Sequence, residues 1–238
     1  LVDGIGNLSD PFLKPDWSPD SFLSRNYIGT SFIIKTALAQ QLTFREDFDG
    51  SELFDLLLRA TELPGIPQHI PEVLFHCESR AQNPESAQNA LHSAIERRRT
   101  PAAIESIPSS PGMFHLRYEV KTKEKVSIII PTKDQADLLR TAIDSILSKT
   151  TYPDYEILVL NNNSDSPHFF GLMQEYRTKY PGKFRCLDAK FPFNFSKLMN
   201  KGVEESTGKY ILLLNNDIEI TQPDWLTQMV GFAALPGT

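Results

Sequence analysis

The pattern of apolar and polar positions divides the chain into two stretches of different texture. From residue 126 onward, short β-rich runs alternate with longer helical patterns. "VSIII" (126–130) reads as a buried strand bounded by Pro131, and "ADLLRTAIDSIL" (136–147) carries apolar residues at helical spacing. "YEILVL" (155–160), "KFRCLDA" (183–189) and "YILLLN" (210–215) read as further strands. "PHFFGLMQEYRTKY" (167–180), "FSKLMNKGVEES" (195–206) and "PDWLTQMVGFAA" (223–234) read as helices, the last with Pro223 near its first position. Such alternation predicts right-handed βαβ units and a mostly parallel sheet covered on both faces.

Residues 1–100 lack that alternation. A strand is expected around Ile28–Ile34 and another in "IPEVLFHC" (70–77). "FDGSELFDLLLRATEL" reads as a helix with Leu53, Leu56, Leu57 and Ala60 inward and Glu52, Asp55 and Arg59 on another face. "SAQNALHSAIERRR" predicts one more helix, and 101–124, with "TPAAIESIPSSPG", reads as a linker. The second unit is then expected over 125–238.

Composition narrows the field only modestly. With 238 residues, 40% hydrophobic and 23% charged, the chain fits one large globular domain or two modest ones. A net charge of −6 argues against a general nucleic-acid binder, which needs a basic surface, but leaves room for a local nucleotide pocket. Cys77 and Cys186 lie far apart and match no zinc or redox spacing, so a reducing compartment is the expectation. The longest apolar runs fall far short of the ~20 residues of a membrane helix. The chain starts at Leu1 and stops at "ALPGT", so it reads as a piece of a longer protein.

The candidate chemistry lies at the strand ends. Ligands of parallel sheets bind beyond the carboxyl ends of the strands. Thr132-Lys133-Asp134, Asn161-Asn162-Asn163 and Asn215-Asn216-Asp217 all occupy such positions, so three polar clusters should meet on one rim. Asp217 is either a metal ligand or part of an Asx turn. Asp134 is either a ligand contact or the N-cap of the following helix. A Gly-rich phosphate loop after the first strand is absent, since "PTKDQ" contains no glycine, and this counts against a nucleotidyltransferase.

The segments "VSIIIPTKD", "YPDYEILVLNNNSD", "FPFNFSKLMNKGVEESTGKYILLLNNDIEI" and "PDWL" resemble the N-terminal half of a family 2 glycosyltransferase with the GT-A fold. "KPDWSPDSFLSRNYIGTSFIIK", "FDGSELFDLLLR" and "IPEVLFHCESR" are similar to the C-terminal half of the same kind of module. The resemblance implies an α/β architecture: a GT-A, Rossmann-like half-module preceded by a partial α+β module tail. It implies transfer of a sugar from a UDP-, dTDP- or GDP-sugar to a glycan or lipid-linked acceptor hydroxyl, with inversion, in cell-surface polysaccharide synthesis. A divalent Mn or Mg ion would bridge the donor diphosphate, and a carboxylate would take the acceptor proton.

Carried onto this sequence, the resemblance puts the metal at Asp217, with Glu219 and His76 as further candidates. It puts the donor near Pro131, Thr132, Asp134, Asn161, Asn200, Lys201 and Asn216. Asn161 stands where relatives commonly carry an acid that reads the base. In the first region Leu53 occupies the position of the base, leaving Glu52 or Asp55 for that role, and Arg80 as a phosphate contact. The base of the second module would lie beyond Thr238. Leu53 and Asn161 also fit a degenerate binding or scaffolding module without turnover. The setting implied is cytoplasmic, at the inner membrane face, with peripheral association through regions outside this chain and no nucleic-acid partner.

Overall fold

A computed structural model describes residues 12–76 and 83–235. The chain divides into two compact units, Leu1–Glu119 and Val120–Thr238.

In the first unit, α1 (Pro19–Ser24), α2 (Thr36–Leu42) and α3 (Glu52–Ala60) are followed by α4 (Pro84–Arg97) and a hairpin of β1 (Ala102–Ser106) with β2 (Phe114–Tyr118). Helix α3 packs on α4, burying Phe54, Leu56 and Leu58 with Ala90, Leu91 and Ala94. Asn83 caps α4, its side chain accepting from Glu85 N and Ser86 N, and Pro84 follows at the first position.

Four expectations need correction here. Residues 28–34 form a turn and irregular chain rather than a strand, as do 70–76, where Ile70, Val73, Leu74 and Phe75 stand exposed. The stretch read as a linker holds the hairpin, because Phe114, Leu116 and Tyr118 alternate inward along β2. Asp55 does not face outward on α3 but is wholly buried.

The second unit is a doubly covered parallel sheet. Its strands are β3 (Val126–Thr132), β4 (Tyr155–Asn161), β5 (Phe184–Asp188) and β6 (Tyr210–Leu213), in the order β5-β4-β3-β6. Helices α5 (Ala136–Lys149), α6 (Pro167–Lys179), α7 (Phe195–Glu205) and α8 (Trp225–Ala233) alternate with them. From β3 the chain steps outward through β4 to β5 and then returns across both to β6. Right-handed crossovers in opposite directions place their helices on opposite faces. Accordingly α5, α6 and α8 cover one face, with Ile128, Ile130, Ile157 and Val159, and α7 covers the other, with Ile129, Leu158 and Leu160.

Two glycines permit close packing. A Cβ on Gly202 would meet Ile129 Cγ2 at 2.8 Å and Leu160 Cδ1 at 2.9 Å, so α7 can lie directly on the sheet. At Gly208 a Cβ would stand 2.6 Å from Ser127 N and 2.7 Å from Lys125 O. Beside it, buried Glu156 ties three strands near their amino ends. It accepts from Ser127 Oγ at 2.7 Å, Thr207 N at 2.9 Å, Thr207 Oγ1 at 2.8 Å and Arg185 Nε at 3.1 Å. Burial alone would raise its pKa, but these hydrogen bonds and the Arg185 charge hold it below the usual carboxylate range.

Candidate functional site

The order of the strands singles out one crevice. Connections leave β3 and enter β6 in opposite directions, so the adjoining ends of these two strands form the topological switch point. Thr132 ends β3, 5% exposed, and Asn216 follows β6. Asn216 Nδ2 donates to Thr132 Oγ1 at 3.0 Å, joining the two strand ends across the crevice. Asp217 is next in the chain and exposed. Pro131 is half-buried within β3. Asn216, Asp217 and Thr132 are therefore gathered at one place.

The loops after β3 and β4 are held in left-handed backbone, at Asp134 (φ 55°), Gln135 (φ 49°) and Asn163 (φ 62°). Such conformations are uncommon for residues other than glycine, and surrounding hydrogen bonds must hold them. Asp134 Oδ1 accepts from Asp165 N and Ser166 N, both at 3.0 Å, and Asp134 N donates to Ser164 Oγ at 2.7 Å. Asp134 thus serves the start of α6 rather than capping α5, whose N-cap is Gln135. The asparagines after β4 are also engaged. Asn161, 5% exposed, accepts from Ser164 N at 2.9 Å and donates to Asp188 Oδ1 at 2.8 Å. Asn162 Nδ2 donates to the carbonyls of Ala189 and Phe191, and Asn163 Nδ2 donates to Phe191 as well. Asp188 ends β5 beside Asn161, and the sequence alone drew no attention to it, because lateral strand register is not written in one strand's residues.

Asn200 and Lys201 lie on α7 and line an open groove of about 490 Å³ with Phe191, Lys197 and Glu204. Lys197 Nζ sits 4.6 Å from the centre of the Phe191 ring, a cation–π contact. This groove is the basic part of the α7 surface.

The fit to a divalent ion rests on Asp217. Its exposed carboxylate and the neighbouring amides are hard oxygen donors, suited to Mg or Mn sharing its shell with water and phosphate oxygens. Among the described residues no three His, Cys, Asp or Glu side chains gather into a complete cage. Glu219 points elsewhere: it pairs with Lys149 Nζ at 2.9 Å, and Ile220 N donates to Ser145 Oγ. Lys149 is the last residue of α5, whose 14 residues run roughly 20 Å away from the rim. The expectation that Glu219 turns back to the rim is therefore corrected. His76 is exposed at the end of an irregular stretch of the first unit.

In the first unit the two candidate carboxylates differ sharply. Asp55 is held by Arg45, with Nε at 3.0 Å from Oδ2, and by Arg59, with Nε at 2.9 Å from the same oxygen. Burial would raise its pKa, but the two guanidinium groups outweigh it and keep the carboxyl below its ordinary value. A carboxylate so held is a poor proton acceptor, which corrects its reading as a base. Glu52, at the start of α3, has a buried Oε2 without a hydrogen-bond partner among the described residues. Cys77 and Arg80 lie outside the described residues. Cys186 is a buried thiol whose pKa is pushed up to about 11 by burial. No helix among the described residues is long and apolar enough to cross a membrane.

Residues 127–238 match the family model Glycosyl transferase family 2. The O-antigen biosynthesis protein RfbC of Myxococcus xanthus is 36% identical over 245 residues, covering 99% of this chain and 19% of RfbC. The uncharacterized protein y4gI of Sinorhizobium fredii is 33% identical over 254 residues, covering 100% of this chain and 27% of that protein. The chain thus spans a fifth to a quarter of the length of these relatives. Among solved structures, the mannosyltransferase PcManGT from Pyrobaculum calidifontis, in complex with GDP-Man and Mn2+, aligns with 64% of this chain and 41% of that one. That alignment has a TM-score of 0.45 and 17% identity.

Proposed function

Because residues 127–238 belong to glycosyl transferase family 2, we propose that this segment binds the nucleotide-sugar donor of a glycosyltransferase that builds a cell-surface polysaccharide. The observation that carries the reading is the switch point between β3 and β6, where Thr132, Asn216 and Asp217 meet. The donor diphosphate would lie there, and Asp217 is the residue that would hold a divalent Mn or Mg ion against it. When bound, that ion supplies positive charge to the departing nucleoside diphosphate. Lys201 and Asn200, in the groove on α7, flank the donor, and Lys201 offsets part of its charge. Pro131 and the loops after β3 and β4 hold the nucleoside. The polysaccharide setting is supported by the likeness to an O-antigen biosynthesis protein.

In the transfer step, the acceptor oxygen attacks the anomeric carbon from the face opposite the diphosphate. Its proton passes to a carboxylate, and the bond from sugar to diphosphate breaks. For an upstream module of its own, separate from the one that holds Asp217, the first unit offers Glu52 as the carboxylate suited to that role, since Asp55 is committed to two arginines. The leucine at position 53 favours a second reading for that unit, as a binding tail without turnover of its own.

The test is release of nucleoside diphosphate from UDP-, dTDP- and GDP-sugars by the full-length protein with Mn2+. The proposal expects release that needs the metal and is lost in Asp217→Ala. Release that persists in that variant contradicts the assignment.

A further inference from the structure

The chain between β5 and α7 holds apolar side chains out into water. Phe193 is 74% exposed and Phe195 53%, the highest values for large apolar side chains among the described residues of the second unit. Phe169 and Phe184 of the same unit lie in its core. The exposure does not come from slack chain, because the segment is tied down on both sides of Phe193. Ahead of it, the carbonyl of Phe191 accepts from Asn162 Nδ2 at 2.9 Å and from Asn163 Nδ2 at 2.8 Å. Behind it, Asn194 caps α7, its side chain accepting from Lys197 N at 2.9 Å. Two phenyl rings therefore stand out from a fixed backbone, and an apolar surface so placed marks an interaction site.

Charge gathers at the same place. Residues 189–203 hold three lysines, Lys190, Lys197 and Lys201, and no aspartate or glutamate, in a chain whose net charge is −6. The Lys190 side chain is 81% exposed, and the Lys197 ammonium lies over the Phe191 ring. Lys197 and Lys201, four residues apart, share one side of α7. Carboxylates return only at the two ends of the stretch, with Asp188, 3.9 Å from Lys190 Nζ, and Glu204. Exposed rings flanked by long cationic side chains match the headgroup layer of a lipid bilayer. The rings enter the acyl boundary, the ammonium groups pair with phosphates, and the lysine stems lie along the apolar layer. A fluid bilayer also accepts protruding rings without a pocket of complementary shape.

We infer that the segment between β5 and α7 is a membrane-contact surface for a bilayer rich in anionic phospholipid. Phe193 and Phe195 enter the interface, and Lys190 and Lys197 pair with the headgroups. No helix among the described residues can cross a membrane, so the contact is peripheral. The segment leaves the carboxyl end of β5, on the side of the parallel sheet to which β3 and β6 also deliver Thr132 and Asp217. The bilayer then lies on the side of the sheet that carries the switch point. The contact does not depend on the donor-binding reading.

The test is sedimentation of the 238-residue chain with sucrose-loaded vesicles, either phosphatidylcholine alone or equimolar phosphatidylcholine and phosphatidylglycerol. It is run beside the double variants Phe193→Ser/Phe195→Ser and Lys190→Gln/Lys197→Gln. The wild-type chain is expected to partition onto the anionic vesicles about tenfold or more above the neutral ones, the scale of two lysines at a charged surface. The phenylalanine variant should lose about tenfold of that binding. The lysine variant should lose most of the difference between the two vesicles. All four substituted side chains are exposed, so both variants should keep the circular-dichroism spectrum and unfolding midpoint of the wild type. Equal partitioning onto both vesicles, none onto either, or wild-type binding in either variant overturns the inference. A chain that ignores the vesicles but self-associates through the same phenylalanines in analytical ultracentrifugation also overturns it, and makes the patch a contact between copies.

Discussion

Asp55 and Glu156 are both buried carboxylates with lowered pKa values, and each holds its unit together in a different way. Asp55 pairs with both Arg45 and Arg59, and Arg59 Nη2 in turn donates to Thr43 O, so the cluster fixes the segment between α2 and α3. Removing one partner of a buried ion pair strands the others. Asp55→Ala should therefore destabilise the first unit by roughly 3 kcal/mol in urea unfolding, with no change in nucleotide affinity. A large loss of affinity with normal stability would restore Asp55 to the functional site. For Glu156 the sign runs with acid. Its folded pKa lies below the unfolded one, so its contribution is complete above the ordinary carboxylate range and is lost as pH falls through the lowered value. Glu156→Gln should flatten the loss of stability between about pH 5 and pH 3 that is expected of the parent chain. At the rim, Thr132→Val removes the acceptor of Asn216 and should weaken metal-dependent nucleotide binding several-fold without lowering the unfolding midpoint.

At the scale of the elements, packing depends on how little space separates α7 and β6 from β3. Gly208→Ala sets a methyl against backbone atoms of Lys125 and Ser127, which cannot turn aside. Gly202→Ala meets side-chain methyls of Ile129 and Leu160, which can shift. The first substitution should cost about 1–3 kcal/mol and the second less, measured by chemical unfolding; the reverse order would mean that β6 is not held by this contact. The elements of the second unit were legible because each carries its own period: continuous apolar runs for the buried strands β3 and β4, and helical spacing for α5 and α7. The first unit was less so. The irregular chain at 70–76 has strand-like composition but finds no strand partner among the described residues, and composition does not reveal a partner. In the β1–β2 hairpin, prolines and serines in the connection masked the alternation of β2. Asp55 was placed on the wrong side of α3 because its partner Arg45 lies outside the helix, where helical spacing says nothing.

For the whole molecule, the strand ends announced a rim, but which strands adjoin is a property of the sheet. The order β5-β4-β3-β6 makes Thr132 and Asn216 neighbours, and the register of β4 with β5 brings Asp188 beside Asn161. Asp217 keeps its place there, whereas Glu219, two residues on, is drawn away by Lys149. The net charge of −6 adds no general attraction for a nucleotide, so the proposed donor binding would have to come from this local set and the metal. The most direct measurement is a calorimetric titration of the chain with UDP- and GDP-sugars, with and without Mn2+, in the parent and in Asp217→Ala. Metal-dependent binding in the parent that weakens by more than about tenfold in the variant, the scale of one charge-assisted contact, is the predicted result. Equal affinity with and without the metal, or in parent and variant alike, would contradict the account.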